Sequence, residues 1–178
     1  MKKKCILIAG ISAITILALW FWYPVRLLQV KDPGSGKVLV QWKVLPGQVF
    51  TYSFTHSYEL QPVWERYIIT PEGSIVLSEL RFKALAYDDK EITYPKGFRI
   101  ENGTGVISDI DLNYRKPLES VPIRVAYTVP QKLSIGREEI FLTSLAPAGT
   151  LLEVRVFQGP RPLSLVKEVI TWMEKNNP

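Results

Sequence analysis

A chain of 178 residues with 47% hydrophobic and 22% charged residues has a globular composition, which excludes a disordered chain. Its formal charge of +5 owes three units to Lys2, Lys3 and Lys4; the rest carries 19 basic against 17 acidic residues and no dense basic stripe, which excludes nucleic acid as an expected partner. Cys5 is the lone cysteine, so no intramolecular disulfide can form, and lysines stand where a lipoprotein signal needs small residues.

Residues 1–4 read as a short cytoplasmic tail. From Cys5 to Tyr23 there are 19 residues without a charge. As a helix this run spans roughly 28 Å, the thickness of a bilayer core. The lysines before it belong on the cytoplasmic side, and Trp20, Phe21, Trp22 and Tyr23 supply an aromatic belt at the far interface. A cleaved signal peptide has a shorter apolar core and a small-residue exit; here bulky aromatics fill that place. The expectation is an uncleaved transmembrane signal anchor over residues 5–23, with the lipid bilayer as partner. The protein is then single-pass in the cell membrane, with its C-terminal domain extracytoplasmic.

Residues 24–36 read as a linker, because Lys31-Asp32-Pro33-Gly34-Ser35-Gly36 is turn chemistry. Residues 37–158 read as the extracytoplasmic β domain. Val38, Val40, Trp42 and Val44 alternate with Leu39, Gln41 and Lys43, and Phe50, Tyr52, Phe54 and His56 alternate with Thr51, Ser53 and Thr55. Strands are also expected over 63–70, 75–84, 121–127, 140–145 and 151–157, with a hairpin at Asn102-Gly103. Many short strands at even spacing predict a mainly β fold: an antiparallel β-sandwich or flattened barrel, with an N-terminal transmembrane helix and a short C-terminal helix. That last helix, within residues 159–178, is capped by Ser164 and sets Leu165, Val169, Trp172 and Met173 on one face.

Catalytic signals are scarce, so the expectation is a protein that is not an enzyme and needs no cofactor. One histidine and one cysteine do not make a usual zinc site. There is no phosphate-binding glycine loop and no nucleophile elbow. Ser57 adjoins His56, but neighbours on a strand point to opposite faces. Asp88, Asp89, Asp109 and Asp111 lack calcium-loop spacing.

One stretch concentrates polar chemistry: His56-Ser57-Tyr58-Glu59-Leu60-Gln61-Pro62-Val63-Trp64-Glu65. A hairpin centred between Leu60 and Gln61 sets His56 opposite Glu65, with the histidine ring on the core side and the carboxylate favouring its protonated form. His56, Ser57, Glu59, Pro62 and Glu65 are therefore the candidate ligand-binding or structural residues. A small-ligand or ion-binding site formed by His56, Glu59 and Glu65 is one functional reading.

The same pattern, His-Ser-x-Glu-x-x-Pro-Val-x-Glu, resembles the signature of the bacterial domain-of-unknown-function family numbered eighteen-fifty. The resemblance extends from about Gly36 to Gln158. It takes in Glu79-Leu80-Arg81-Phe82 and the run from Leu142 to Thr150, while Tyr58 stands where an aliphatic residue is usual. What it implies is context: genes of the family often neighbour TAXI-type TRAP transporters, the tripartite solute importers. A non-enzymatic, membrane-anchored accessory protein with TRAP transporter subunits as partners is the other functional reading.

Overall fold

The structure is a computed structural model that describes residues 24–56, 60–83, 97–108 and 116–160, together with Ser12 and Thr15. In these segments the chain forms eleven strands: β1 Pro24–Lys31, β2 Val38–Lys43, β3 Val49–Thr55, β4 Pro62–Ile69, β5 Ile75–Lys83, β6 Phe98–Glu101, β7 Thr104–Ile107, β8 Ser120–Arg124, β9 Gln131–Ile135, β10 Glu138–Phe141 and β11 Leu151–Pro160. One 3₁₀ turn, Leu142–Ser144, follows β10. All strand pairs are antiparallel. They make a four-stranded sheet in the order β2-β1-β11-β8 and a seven-stranded sheet in the order β10-β9-β3-β4-β5-β7-β6. The protein is thus mainly β and built on two antiparallel sheets.

Period-two patterning decides which side of each sheet is dry. Phe50 and Tyr52 of β3, Tyr67 and Ile69 of β4, and Leu133 and Ile135 of β9 join Leu28, Val30, Ile123, Leu152 and Val154 of the smaller sheet in one buried cluster. Full burial of such a side chain contributes on the order of 2 kcal/mol. Hydrogen bonds also clip the sheets together: Trp42 Nε1 donates to Glu138 at 2.6 Å, the Arg26 guanidinium donates to the carbonyl of Pro71, and Gln131 of β9 donates to the carbonyl of Arg124 in β8 at 3.1 Å. Asn102 and Gly103 carry positive φ of 51° and 76°, the geometry a two-residue hairpin turn between β6 and β7 demands.

The expected linker over 24–36 is not one. Its first eight residues are β1, an interior strand paired with β2 on one side and β11 on the other. Leu27, Leu28, Gln29 and Val30 are all buried. The turn chemistry is confined to residues 32–37, where Asp32 accepts bonds from the Gly34 N–H and the Ser35 hydroxyl. The apolar run of β1 abuts the preceding apolar run, so hydropathy alone does not separate the two. At the other end β11 runs to Pro160, past the expected boundary at 158. Among the described residues no helix is long and apolar enough to cross a membrane. The expected anchor over 5–23, apart from Ser12 and Thr15, and the C-terminal helix beyond residue 160 lie outside the described residues.

The register gives the two-sheet unit distinct ends. At one end Pro24 pairs with Pro160, the 45–48 turn meets Ile69, and Arg26 reaches Pro71. The opposite end carries the 32–37 turn, the β3–β4 loop, and the segment between β8 and β9 that includes Tyr127.

Candidate functional site

The β3–β4 hairpin carries the residues singled out by sequence, and its register differs from the expected one. Tyr52 lies opposite Glu65, and Thr55 opposite Pro62. The loop is closed by the His56 N–H donating to the Gln61 carbonyl at 2.8 Å and the Leu60 N–H donating to the His56 carbonyl at 2.8 Å. Leu60 takes a left-handed conformation with φ 53° to make the reversal. His56 is therefore a loop-closing residue, four positions along the strand from Tyr52, roughly 13 Å at strand rise. It is exposed, not directed to the core, and it is not the partner of Glu65. The expected His56–Glu65 pair is corrected for that reason: the loop is centred earlier in the chain than the expected point between Leu60 and Gln61. Ser57 and Glu59 lie outside the described residues. Pro62 opens β4, where a strand loses least from a missing N–H. With Phe54, Trp64, Lys132 and Phe141 it lines a shallow groove of about 170 Å³.

Glu65 faces inward, among aromatic groups. The Tyr67 hydroxyl donates to its Oε2 at 2.6 Å. Tyr67 stacks on Phe50 with ring centroids 5.1 Å apart, and Tyr52 stacks on Phe54 at the same distance. The buried Gln131 donates to the Tyr52 hydroxyl at 2.7 Å and to the Arg124 carbonyl at 3.1 Å, while its own oxygen accepts from the Ala126 N–H at 2.7 Å. Burial pushes the Glu65 carboxyl up from its ordinary value, with the Tyr67 bond opposing. Burial, helped by the Glu65 charge, also pushes the Tyr52 phenol up to about 12 and the Tyr67 phenol further. Both tyrosines are thus hydrogen-bonding phenols at any physiological pH. Together they frame a carboxyl that holds its proton more tightly than a solvated one, a group suited to hydrogen bonding or to receiving a small polar ligand.

The outer face of the same sheet is a charged lattice. Glu79 of β5 meets Arg81 at 2.6 Å, Arg66 at 3.1 Å and Arg99 at 3.8 Å, and Arg99 meets Glu101 at 2.5 Å. The Arg81 bond, with help from Arg66, holds the Glu79 carboxyl below the usual carboxylate range despite its partial burial. Thr51, Trp64, Arg66, Arg81 and Thr104 line a shallow groove of about 440 Å³ there. Among the described residues no group of three or more His, Cys, Asp or Glu side chains is placed to hold a metal ion.

Sequence reasoning found Glu65 and Pro62 but missed Tyr52 and Tyr67, which flank Glu65, Gln131, which holds the Tyr52 hydroxyl, and the arginines around Glu79. A signal existed for the arginines: Trp64-x-Arg66, Glu79-x-Arg81 and Arg99-x-Glu101 are charged or amphipathic pairs at strand spacing, hence on one face. No local signal pointed to Gln131, which lies 79 residues from Tyr52.

Two antiparallel sheets, a half-buried carboxyl between phenols and an arginine-rich outer face define a small, mainly β domain. The chain belongs to the family described as Domain of unknown function (DUF1850), whose sequence pattern matches residues 50–142, from the core strand β3 to the start of the 3₁₀ turn. No curated protein matches the chain, and no solved structure does.

Proposed function

We propose that this chain is a non-enzymatic, membrane-anchored β-sandwich protein of the extracytoplasmic face that acts as an accessory to a solute transporter of the TAXI-type TRAP class. The observation that carries the reading is the polarity of the domain. Its chain enters at the Pro24 end, directly after the 19-residue uncharged run, and the β3–β4 loop lies at the opposite end with His56 exposed and Leu60 69% exposed. An anchor at one end leaves that loop facing away from the membrane, where extracytoplasmic transporter parts are reached. An exposed loop on a rigid sheet is the usual site of recognition. The test is detergent extraction of a strain carrying a tagged transporter permease. The expected result is co-purification of the chain, lost in a Leu60→Asp, His56→Ala double variant whose melting temperature matches wild type. Failure of the wild-type chain to co-purify, or an undiminished yield of the double variant, sinks the reading.

A second reading, a small-ligand-binding β domain, is favoured by one observation: Glu65 sits between Tyr67 and Tyr52 with Gln131 behind them. That site rests on Glu65 and its aromatic neighbours and does not include His56. An organic acid or amino acid that raises the melting temperature of wild type but not of Glu65→Gln is the result this reading requires.

A further inference from the structure

The Pro24 end of the two sheets has a composition and a position that belong together. Val25 and Arg26 of β1, Lys43 at the end of β2, Val44, Leu45, Pro46 and Gln158 of β11 wall a groove of about 360 Å³. Leu45 is 72% exposed, two residues from the exposed Lys43, with the buried Val44 between them tying the turn to the core. It is not a loose loop tip: the Leu45 N–H donates to the Gln48 side chain at 3.0 Å, the Gln48 N–H donates back to the Leu45 carbonyl at 3.1 Å, and Gly47 closes the turn with φ 79°. Arg26 is held at the rim by the Gln158 side chain at 3.3 Å and by the Pro71 carbonyl. A fixed leucine and proline stand beside two cations, at the one end of the unit where β1 begins and β11 finishes.

An isolated exposed leucine needs no explanation. This one lies near the place where the chain emerges from the uncharged run, since Tyr23 ends that run and Pro24 starts β1. One residue spans at most about 3.5 Å, so no spacer lifts this end clear of a bilayer interface, which is several ångströms deep on each side of the hydrocarbon core. Apolar side chains flanked by Lys and Arg are the combination that settles at such an interface when its lipids are anionic.

We propose that the Pro24 end is a lipid-contacting foot: Leu45 and Pro46 enter the membrane interface, and Lys43 and Arg26 face the phosphates of anionic phospholipid headgroups. The proposal deepens the anchored reading and rests on it. Its consequence is a fixed orientation, with the β3–β4 loop held away from the lipid by the length of the strands, about 25 Å for the eight residues of β1.

The experiment uses the full chain carrying Cys5→Ser and a single fluorophore, attached through Leu45→Cys in one sample and Tyr127→Cys, 80% exposed at the opposite end, in another. Both are reconstituted in vesicles of phosphatidylcholine and phosphatidylglycerol that contain a headgroup-nitroxide lipid, and both are washed with alkaline carbonate. Retention after the wash, with most emission lost at position 45 and none at position 127, is the expected result. Adding Lys43→Glu is expected to restore much of the emission at position 45. Retention with equal emission at the two positions overturns the foot and leaves the anchor standing; residues 161–178 or a second copy would then be what covers the groove. Release by carbonate overturns the anchor, and the foot with it. Unchanged quenching with Lys43→Glu overturns the role assigned to the headgroup phosphates.

Discussion

Glu65 and Glu79 lie on neighbouring strands of one sheet and face opposite sides of it. Glu65 is on the inner side, pointing at aromatic rings with a phenol as its hydrogen-bond partner. Glu79 is on the outer side, beneath three arginines. Its side chain is only 12% exposed, yet what covers it is arginine and not a packed core, so the cost of leaving water is more than offset by the bonds from Arg81 and Arg66. The two carboxyls are accordingly shifted in opposite directions, one up by burial and the other down by Arg81 and Arg66. The comparison teaches that exclusion from water does not by itself set a carboxyl's chemistry; what excludes the water does.

The largest effect expected from breaking this contrast is on the packing that keeps the inner face dry. Phe50 is 1% exposed and stacks on Tyr67. Phe50→Ala is expected to destabilise the domain by about 3–5 kcal/mol. Thr51→Ala, one residue along and on the other face, is expected to change it by under about 0.5 kcal/mol. Denaturant unfolding of the full chain in detergent, followed by tryptophan fluorescence, compares them; similar losses would erase the distinction between the faces.

Glu79→Gln ranks next. It leaves Arg66, Arg81 and Arg99 sharing a neutral group, but the arginine side chains are 37–43% exposed and water screens them. The expected loss at neutral pH is about 1–2 kcal/mol, below that of a fully buried pair. Because the folded state holds Glu79 below its ordinary pKa of 4.5, its stabilisation is present above that pH and fades as pH falls through the folded value. The gap between wild type and Glu79→Gln should therefore narrow in acid. A gap that is constant from neutral pH into strong acid would contradict the ionic account.

Glu65→Gln is expected to have the smallest effect and the opposite pH dependence. The folded state holds the Glu65 proton more tightly than the unfolded chain does. Its contribution is therefore fully present below the ordinary value of 4.5 and is lost as pH rises through the folded value. Glutamine keeps an acceptor for the Tyr67 hydroxyl and cannot ionise. The variant should gain on wild type as pH rises above that range, by less than about 1 kcal/mol at neutral pH. A variant that falls further behind wild type as pH rises would show that the ionised Glu65 carboxylate has a favourable partner in the folded state.

How the sequence could be read differs sharply along the chain. The alternation of Phe50, Tyr52 and Phe54 made β3 and its inward face legible, and Asn102-Gly103 made the β6–β7 turn legible, because each signal is local and has a local physical cause. The β3–β4 register was misread, because its loop carries no glycine and a leucine supplies the left-handed residue. β1 was misread as linker because its burial comes from β2 and β11, and β11 is more than a hundred residues away in the chain.

For the candidate site the division follows the same physics. Sequence by itself determined that a carboxyl at position 65 falls on the face of Val63, Tyr67 and Ile69, since side-chain direction alternates along any strand. It also determined a globular β-rich chain, and the family was legible from sequence, since its pattern matches residues 50–142. Only the tertiary structure decided that Tyr52 and not His56 stands opposite Glu65, that Gln131 ties Tyr52 to the segment after β8, and that three arginines from three strands converge on Glu79. Those contacts are set by strand register and sheet order, and register is a free energy shared among distant segments, which no local pattern of residues records.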